Sequence, residues 1–200
     1  LTQFQHLHPT FDKNTGEFSV AVTFAVEGPY RFFADFTPSV KDNPQGLPVV
    51  LENDINVGDV SNNLQPLLVD TNTEKVVPPD YQVSYTFPNE LINMHPVNYS
   101  LTVEKNNQPV TLETYLGASG HSVILKEGTL EYIHAHAGEA NSVDNQIGHD
   151  GHSMDSIQKE QDPNKIDFAT TFLEAGKYKI FTQFKHQGKV FLTDYTVEVK

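Results

Sequence analysis

The chain carries two pairs of histidines in which one residue separates the two imidazoles. His134 and His136 lie in the stretch LEYIHAHAG, and His6 and His8 lie in the stretch FQHLHPT near the amino terminus. The nitrogen of a neutral imidazole is a common ligand for copper, zinc, nickel and iron. Because only nine histidines occur in 200 residues, the placing of four of them in two such pairs predicts metal binding in preference to an incidental role.

A third histidine, His121, lies in the predicted strand before LEYIHAHAG. If Glu127 and Gly128 form the turn of a hairpin, His121 lies opposite His134, and His136 follows on the same face because side chains alternate along a strand. Opposed Cβ atoms are about 5 Å apart, and a zinc–nitrogen bond is about 2.0 Å long. This register predicts that three imidazoles converge on one ion, whereas a slip of one residue would turn His121 to the opposite face.

The residue types around these histidines favour copper as the metal. The chain contains no cysteine, which excludes thiolate metal sites, cysteine nucleophiles and disulfides. Three imidazoles with an open position suit Cu(II), and they also suit a catalytic zinc ion. No carboxylate general base is tied to the site by its spacing, and Glu131 should point to the opposite face of the hairpin. We therefore expect copper, with zinc as the alternative.

Four further residues are weaker candidates for metal ligands. His149, His152 and Met154 lie in the polar segment 137–165, which has no periodic pattern and reads as a long inserted loop. A solvated loop is the simpler interpretation of that composition. His186 lies at a predicted turn, where a ligand role and an ordinary polar role are equally compatible with the sequence.

Composition and charge argue against several other functions. The formal net charge of −13 disfavours nucleic acid and anionic membrane surfaces as partners. No apolar run approaches the ~20 residues that cross a bilayer, and no signal peptide is visible, so we expect a chain that is cytosolic or already processed. The sequence has no glycine-rich phosphate loop, no GxSxG motif and no HExxH motif. These features indicate a protein that is not an enzyme.

An internal repeat organises the segments that carry the histidines. The stretch FSVAVTFAVEGPYRFFADF, at residues 18–36, aligns without a gap with IDFATTFLEAGKYKIFTQF, at residues 166–184. Upstream, FQHLHP aligns with YIHAHA, so the two histidine pairs coincide. Downstream, QGLPVVLENDINV aligns with QGKVFLTDYTVEV. Each copy reads as strands joined by a glycine-containing turn, which is typical of hairpins.

The whole pattern predicts an all-β fold. Val, Thr, Phe and Tyr are frequent, apolar residues alternate with polar ones, and no amphipathic helix is evident. We expect an immunoglobulin-like or cupredoxin-like β-sandwich at residues 80–200. A linker is expected at residues 59–79, and residues 1–58 are expected to form a partial sandwich repeat that is truncated at its amino terminus.

Two stretches carry a resemblance to a known family. They resemble bacterial secreted or membrane-anchored proteins with immunoglobulin-like domains that are associated with copper and other heavy metals, in the style of YtkA-like and CopC-like modules. The two stretches are YLGASGHSVILKEGTLEYIHAHAG and FATTFLEAGKYKIFTQFKHQGKVFLTDYTVEV. In the first copy, the likeness extends to LTQFQHLHP and GPYRFFADFTP. The resemblance implies an extracytoplasmic location, periplasmic, secreted or membrane-anchored. It also implies His121, His134 and His136 as ligand positions, with His6 and His8 matching the pair in the first copy.

These observations together predict an extracytoplasmic protein that captures, buffers or delivers copper. A structural or adhesive surface module, in which the histidines are incidental, is the alternative, and a zinc-dependent hydrolase is a weaker one. We expect the metal ion as the main partner, with a metal-transfer protein and a second copy of the chain as further candidates.

Overall fold

The computed structural model describes residues 1–39, 46–59, 65–138 and 162–200, and these residues fold into strands and connecting turns. They form two compact units. We call the described residues between 2 and 65 the amino-terminal unit, and those between 66 and 200 the carboxy-terminal unit. The prediction of an all-β fold of sandwich type is confirmed, while its immunoglobulin-like or cupredoxin-like character stays a prediction. The described segments contain no helix with the length and apolar character that a bilayer crossing requires.

The carboxy-terminal unit is built from antiparallel strands in two sheets. The first sheet has the order β10-β9-β12-β13, and the second has the order β11-β7-β6-β5, with β8 attached to β7. The bounds are β5 Glu74–Val77, β6 Tyr81–Thr86, β7 Pro96–Lys105, β8 Gln108–Pro109, β9 Gly120–Lys126, β10 Tyr132–His136, β11 Lys165–Thr171, β12 Gly176–His186 and β13 Lys189–Val199.

The core of this unit lies between the two sheets. Leu101 and Val103 of β7 are fully buried, and Ile180 and Phe184 of β12 are fully buried in the same cluster. The members of the first pair are two positions apart and those of the second pair four, as expected when alternate side chains of a strand point to one face. The other face of each sheet points away from this core. The histidines of β9 and β10 lie on that outer face of the first sheet.

The β9–β10 hairpin has a longer turn than the sequence predicts. The turn spans four residues, Glu127 to Leu130, and is closed where the Leu130 N–H donates to the Lys126 carbonyl at 3.0 Å. Leu130 adopts a positive φ of 58°, which a leucine rarely does. The prediction of a two-residue turn at Glu127 and Gly128 is therefore wrong. His136, not His134, lies directly opposite His121. The register differs by two residues, so every side chain keeps its predicted face.

Ordered structure also begins before residue 80. β5, at Glu74–Val77, pairs with β6, although these residues lie in the segment 59–79 that we predict as a linker. Asp70 is tied to the same unit, since its N–H donates to the Thr196 carbonyl at 3.0 Å and its carboxylate accepts from the Thr196 N–H at 2.8 Å. This stretch is rich in Asn, Asp and Pro, so its composition does not predict the short strand β5. The predicted loop 137–165 lies mostly outside the described residues.

The amino-terminal unit repeats the local geometry of the β12–β13 hairpin. Its strands are β1 (Thr10–Asp12), β2 (Glu17–Ser19), β3 (Gly28–Phe36) and β4 (Val49–Val57). Gly28 lies opposite Val57 in β3–β4, just as Gly176 lies opposite Val199 in β12–β13. The two glycines have φ values of 145° and 139°.

Aromatic packing follows the same repeat. The rings of Phe24 and Tyr30 are 4.8 Å apart at 65°, and those of Phe172 and Tyr178 are 4.7 Å apart at 60°. Each tyrosine hydroxyl donates to the carbonyl four residues earlier, at 2.7 Å in the first copy and 2.9 Å in the second. The aligned sequences therefore adopt the same hairpin structure, with the same register and the same ring contact.

Candidate metal site

The three histidines of the carboxy-terminal unit lie on the face of the first sheet that points away from its core. His121 on β9 lies directly opposite His136 on β10, and His134 lies two residues earlier on β10. Ser122, which follows His121, and Ala135, which separates His134 from His136, are buried on the core side. The alternation of the two paired strands is therefore sufficient to bring the three imidazoles to one face.

The rings are close enough to share an ion. One nitrogen from each of His121, His134 and His136 lies within 4.8 Å of the other two. The ring centroids are 4.4 Å apart for His134 and His136, 5.0 Å for His121 and His136, and 5.7 Å for His121 and His134. Two nitrogen ligands of a tetrahedral ion with bonds of about 2.0 Å are about 3.3 Å apart. Small side-chain rotations would therefore bring the donors to bonding distance.

The orientation of His121 is fixed by the main chain. Its Nε2 atom lies 2.9 Å from the carbonyl oxygen of Tyr115. A carbonyl only accepts, so Nε2 carries the hydrogen and the neutral ring has its lone pair on Nδ1. That Nδ1 atom is shielded from solvent. A hydrogen bond from the second ring nitrogen to a carbonyl is the usual way in which proteins orient a metal-binding histidine.

A tight turn positions this carbonyl. Tyr115 and Ala118 exchange main-chain hydrogen bonds of 2.8 and 3.2 Å, and the two residues between them have positive φ values, 52° at Leu116 and 86° at Gly117. Positive φ at both central positions defines a type I′ turn. The Tyr115 ring also contacts His121 edge-on, with centroids 5.7 Å apart at 86°. The turn therefore supports the ring of His121 through both the main chain and the side chain of Tyr115.

Burial differs across the site. His121 is only 4% exposed, whereas His134 and His136 are half-buried. Nε2 of His134 is nevertheless shielded from solvent, as Nδ1 of His121 is. The cluster is therefore most enclosed on its β9 side and only partly enclosed on its β10 side.

Glu131, three residues before His134, does not join the cluster. The Glu131 carboxylate accepts a hydrogen bond of 3.2 Å from the hydroxyl of Tyr178, whose ring belongs to the core. Burial and the charge of Glu131 raise the pKa of Tyr178 to about 12, so its hydroxyl remains a donor at neutral pH. In the described part of the chain, the only group of three or more potential metal-binding side chains is the histidine triad, and it contains no carboxylate.

Among the described residues, the metal-binding group contains none of the other predicted ligands. The His6 and His8 rings of the amino-terminal unit are 4.9 Å apart at 44°, an arrangement close to that of His134 and His136, but the residues that the structure describes give them no third ligand of a metal-binding group. His186 lies on the core-side register of β12, where its Nδ1 is 2.7 Å from the Tyr81 hydroxyl. His149, His152 and Met154 lie outside the described residues.

The sequence does not predict that Tyr115 orients His121. The contact is made by a main-chain carbonyl, which any residue type supplies, so side-chain chemistry gives no signal for it. The only local indication is the Leu-Gly pair at Leu116 and Gly117, and glycine is frequent in type I′ turns.

The comparisons with known proteins bear on this unit. No curated protein matches the chain. A family described as a domain of unknown function, DUF8832, matches residues 75–200, a range that includes Tyr115 and all three histidines. The similarity to copper-associated proteins stays a prediction. Because the match covers more than half of the chain, this protein belongs to the DUF8832 family.

Proposed function

We propose that the carboxy-terminal unit binds one copper ion through His121, His134 and His136, and that the protein captures, buffers or delivers this metal outside the cytoplasm. The observation that supports the proposal most is the convergence of three imidazole nitrogens to within 4.8 Å on one face of a hairpin. The hydrogen bond from His121 to the Tyr115 carbonyl, which leaves Nδ1 as the donor atom, is of the kind that orients histidines at metal sites.

The donor set supports copper over the other first-row metals. A site made only of imidazole binds Cu(II) most tightly among the common divalent ions, because affinity rises along the series to copper and falls again at zinc. A thiolate cage for Cu(I) would need cysteine, and the chain has none. Zinc is the alternative, because three nitrogen ligands with an open fourth position also suit it.

The arrangement favours exchange of the ion over a purely structural role. The sandwich core lies on the other side of the sheet and is built from apolar residues such as Ile124 and Ile180. Since His134 and His136 are half-buried, a ligand from a partner protein could reach an ion held there. We propose binding and transfer, and no catalytic step, as the activity of the site.

Calorimetric titration of the metal-free protein with Cu(II) and Zn(II) tests this proposal. We expect one tight equivalent of copper and weaker binding of zinc. The double variant His134→Ala/His136→Ala should lose the tight site. His95→Ala is the matched control, because His95 is exposed and its Nδ1 lies 2.9 Å from the carbonyl oxygen of Asn93, within its own turn. Equal heats for the parent and the double variant would contradict the proposal and favour a structural or adhesive module.

A further inference from the structure

The histidine triad lies beside apolar side chains on the same face of the first sheet. Val123 lies directly opposite His134 of β10 on one side and Phe181 of β12 on the other, so the three side chains share that face. Leu125 lies two residues after Val123 in β9 and points the same way. We call Val123, Leu125 and Phe181 the apolar floor of the site.

The apolar floor is buried although it lies on the face that points away from the core. The exposed fractions are 4% for Val123, 5% for Leu125 and 4% for Phe181, and His121 of the same face is 4% exposed. Nδ1 of His121 and Nε2 of His134 are also shielded from solvent. An ion bound to these nitrogens would therefore lose contact with water on the side of the floor, where the effective dielectric constant is well below that of water.

The site supplies no negative charge that would compensate for this loss of water. In the part of the chain that the structure describes, the metal-binding group consists of three imidazoles, which are neutral when they bind a metal. A charged side chain that contacts the floor is a cation, since Nζ of Lys179 lies 5.6 Å from the ring centroid of Phe181. Lys179 is paired with Asp194 at 3.0 Å, so the pair as a whole is neutral. An ion in the triad would keep its full charge.

The charge of the ion should therefore decide which form of copper the site prefers. The free energy needed to remove an ion from water rises with the square of its charge, so it is about four times larger for a divalent ion than for a monovalent ion of the same size. Cu(II) also prefers a tetragonal arrangement of ligands, whereas the metal-binding group among the described residues supplies three nitrogens. A filled d shell, as in Cu(I) and Zn(II), imposes no such geometry.

We propose that the form of copper held by this site is Cu(I), and that the neutral triad and the apolar floor together discriminate against Cu(II). This inference rests on the proposed function, because the same site must bind copper. The absence of cysteine excludes a thiolate cage but leaves imidazole as a ligand for copper. The ion binds and leaves as Cu(I), so no electron transfer takes place at the site.

Two competition titrations of the full chain test the inference. Cu(I), kept reduced by ascorbate in the absence of oxygen, is titrated against the chromophoric chelator bicinchoninate, and Cu(II) is titrated against nitrilotriacetate. We expect Cu(I) to bind about a hundredfold more tightly than Cu(II). This ratio corresponds to a Cu(II)/Cu(I) potential about 120 mV above that of aqueous copper, at 59 mV per factor of ten. Equal affinities, or tighter binding of Cu(II), would overturn the inference.

A matched pair of variants at Tyr132 separates charge from size. Tyr132 lies two residues before His134 on the same face, and the two ring centroids are 6.3 Å apart. In Tyr132→Glu, a carboxylate beside the site should reduce the preference for Cu(I) about tenfold, because it attracts a divalent ion more strongly than a monovalent one. Tyr132→Gln has nearly the same size without the charge and should keep the parent ratio. The same change of ratio in both variants would overturn the inference.

Failure of the proposed function gives a different result in these titrations. If neither form of copper binds, or if both bind unchanged to the His134→Ala/His136→Ala chain, the proposed function is contradicted and the inference is overturned with it. If copper binds at the triad in both oxidation states and Cu(II) is not the weaker ligand, the proposed function stands and only the preference for Cu(I) is overturned.

Discussion

The Nε2 atom of His121 donates a hydrogen bond of 2.9 Å to the carbonyl oxygen of Tyr115. This bond connects the most enclosed ring of the triad to the type I′ turn at residues 115–118. It fixes both the tautomer and the direction of the ring, as hydrogen bonds to carbonyls do for metal-binding histidines. The two histidines on β10 are half-buried, and Nε2 of His134 is shielded from solvent. The cluster thus combines one ring that is fixed by the main chain with two rings that are only partly enclosed.

The turn should control metal affinity without being part of the site. Gly117 has a φ of 86°, and an added Cβ would meet no atom within 4 Å, so Gly117→Ala introduces backbone strain without a clash. A residue with a Cβ loses about 1–2 kcal/mol in this conformation. A shift of the Tyr115 carbonyl should weaken copper binding about tenfold, the lower end of the range seen when the partner that orients a ligand histidine is changed. Calorimetry on the variant measures the effect.

Gly128 provides the matched control for that substitution. It lies in the β9–β10 turn with a φ of 85°, and an added Cβ there also meets no atom within 4 Å. Gly128→Ala should therefore cost a similar amount of unfolding free energy but leave copper affinity within about twofold of the parent. Equal losses of affinity in both variants would mean that the Tyr115 carbonyl has no specific role.

Copper affinity should fall as the pH is lowered. Metal and proton compete for the same imidazole lone pair, and the reference pKa of histidine is about 6.5. Protonation removes the lone pairs that would bind the ion, so copper affinity should be much lower at pH 5 than at pH 8. Titrations between pH 5 and 8 measure this profile, and a flat profile would exclude neutral imidazoles as the ligands.

Bound copper should stabilise the carboxy-terminal unit. A ligand that binds only the folded state at a hundred times its Kd adds about 2.7 kcal/mol. For a protein of this size, that corresponds to a rise in Tm of roughly 5–10 °C. Thermal unfolding followed by circular dichroism measures the rise. The His134→Ala/His136→Ala variant should show no comparable rise, and an equal rise in parent and variant would place the stabilising ion elsewhere.

Equivalent phenylalanines of the two units should differ in their importance for stability. Phe184 is fully buried, while its equivalent Phe36 is 44% exposed. Phe184→Ala should lower the free energy of unfolding by about 3–5 kcal/mol, the usual cost of removing a core phenylalanine. Phe36→Ala should cost less than about 1 kcal/mol. Urea unfolding measures both, and a large loss for Phe36→Ala would show that its face is covered in solution.

Much of the fold follows from the sequence because the repeat and the alternation are strong local signals. The gapless alignment of residues 18–36 with 166–184 predicts two equivalent hairpins, and both have the same register. Each histidine also lies on its predicted face although the turn was predicted incorrectly, because an error of two residues in register preserves the alternation of side chains. A one-residue error would have separated His121 from His134 and His136.

The parts that sequence did not predict depend on main-chain geometry and on short elements. The positive φ of Leu130 lengthens the β9–β10 turn against the preference of leucine. β5 has only four residues and two valines, so its composition does not distinguish it from the surrounding polar stretch. The bond between His121 and Tyr115 uses a carbonyl that carries no residue-specific signal.

Anomalous diffraction from crystals of the protein with copper, recorded on both sides of the copper and zinc absorption edges, tests the central claim most directly. We predict one anomalous peak at the copper edge, about 2.0 Å from Nδ1 of His121 and at similar distances from one nitrogen of His134 and one of His136. Triad rings that point in different directions, or a metal peak bound elsewhere on the chain, would contradict the account.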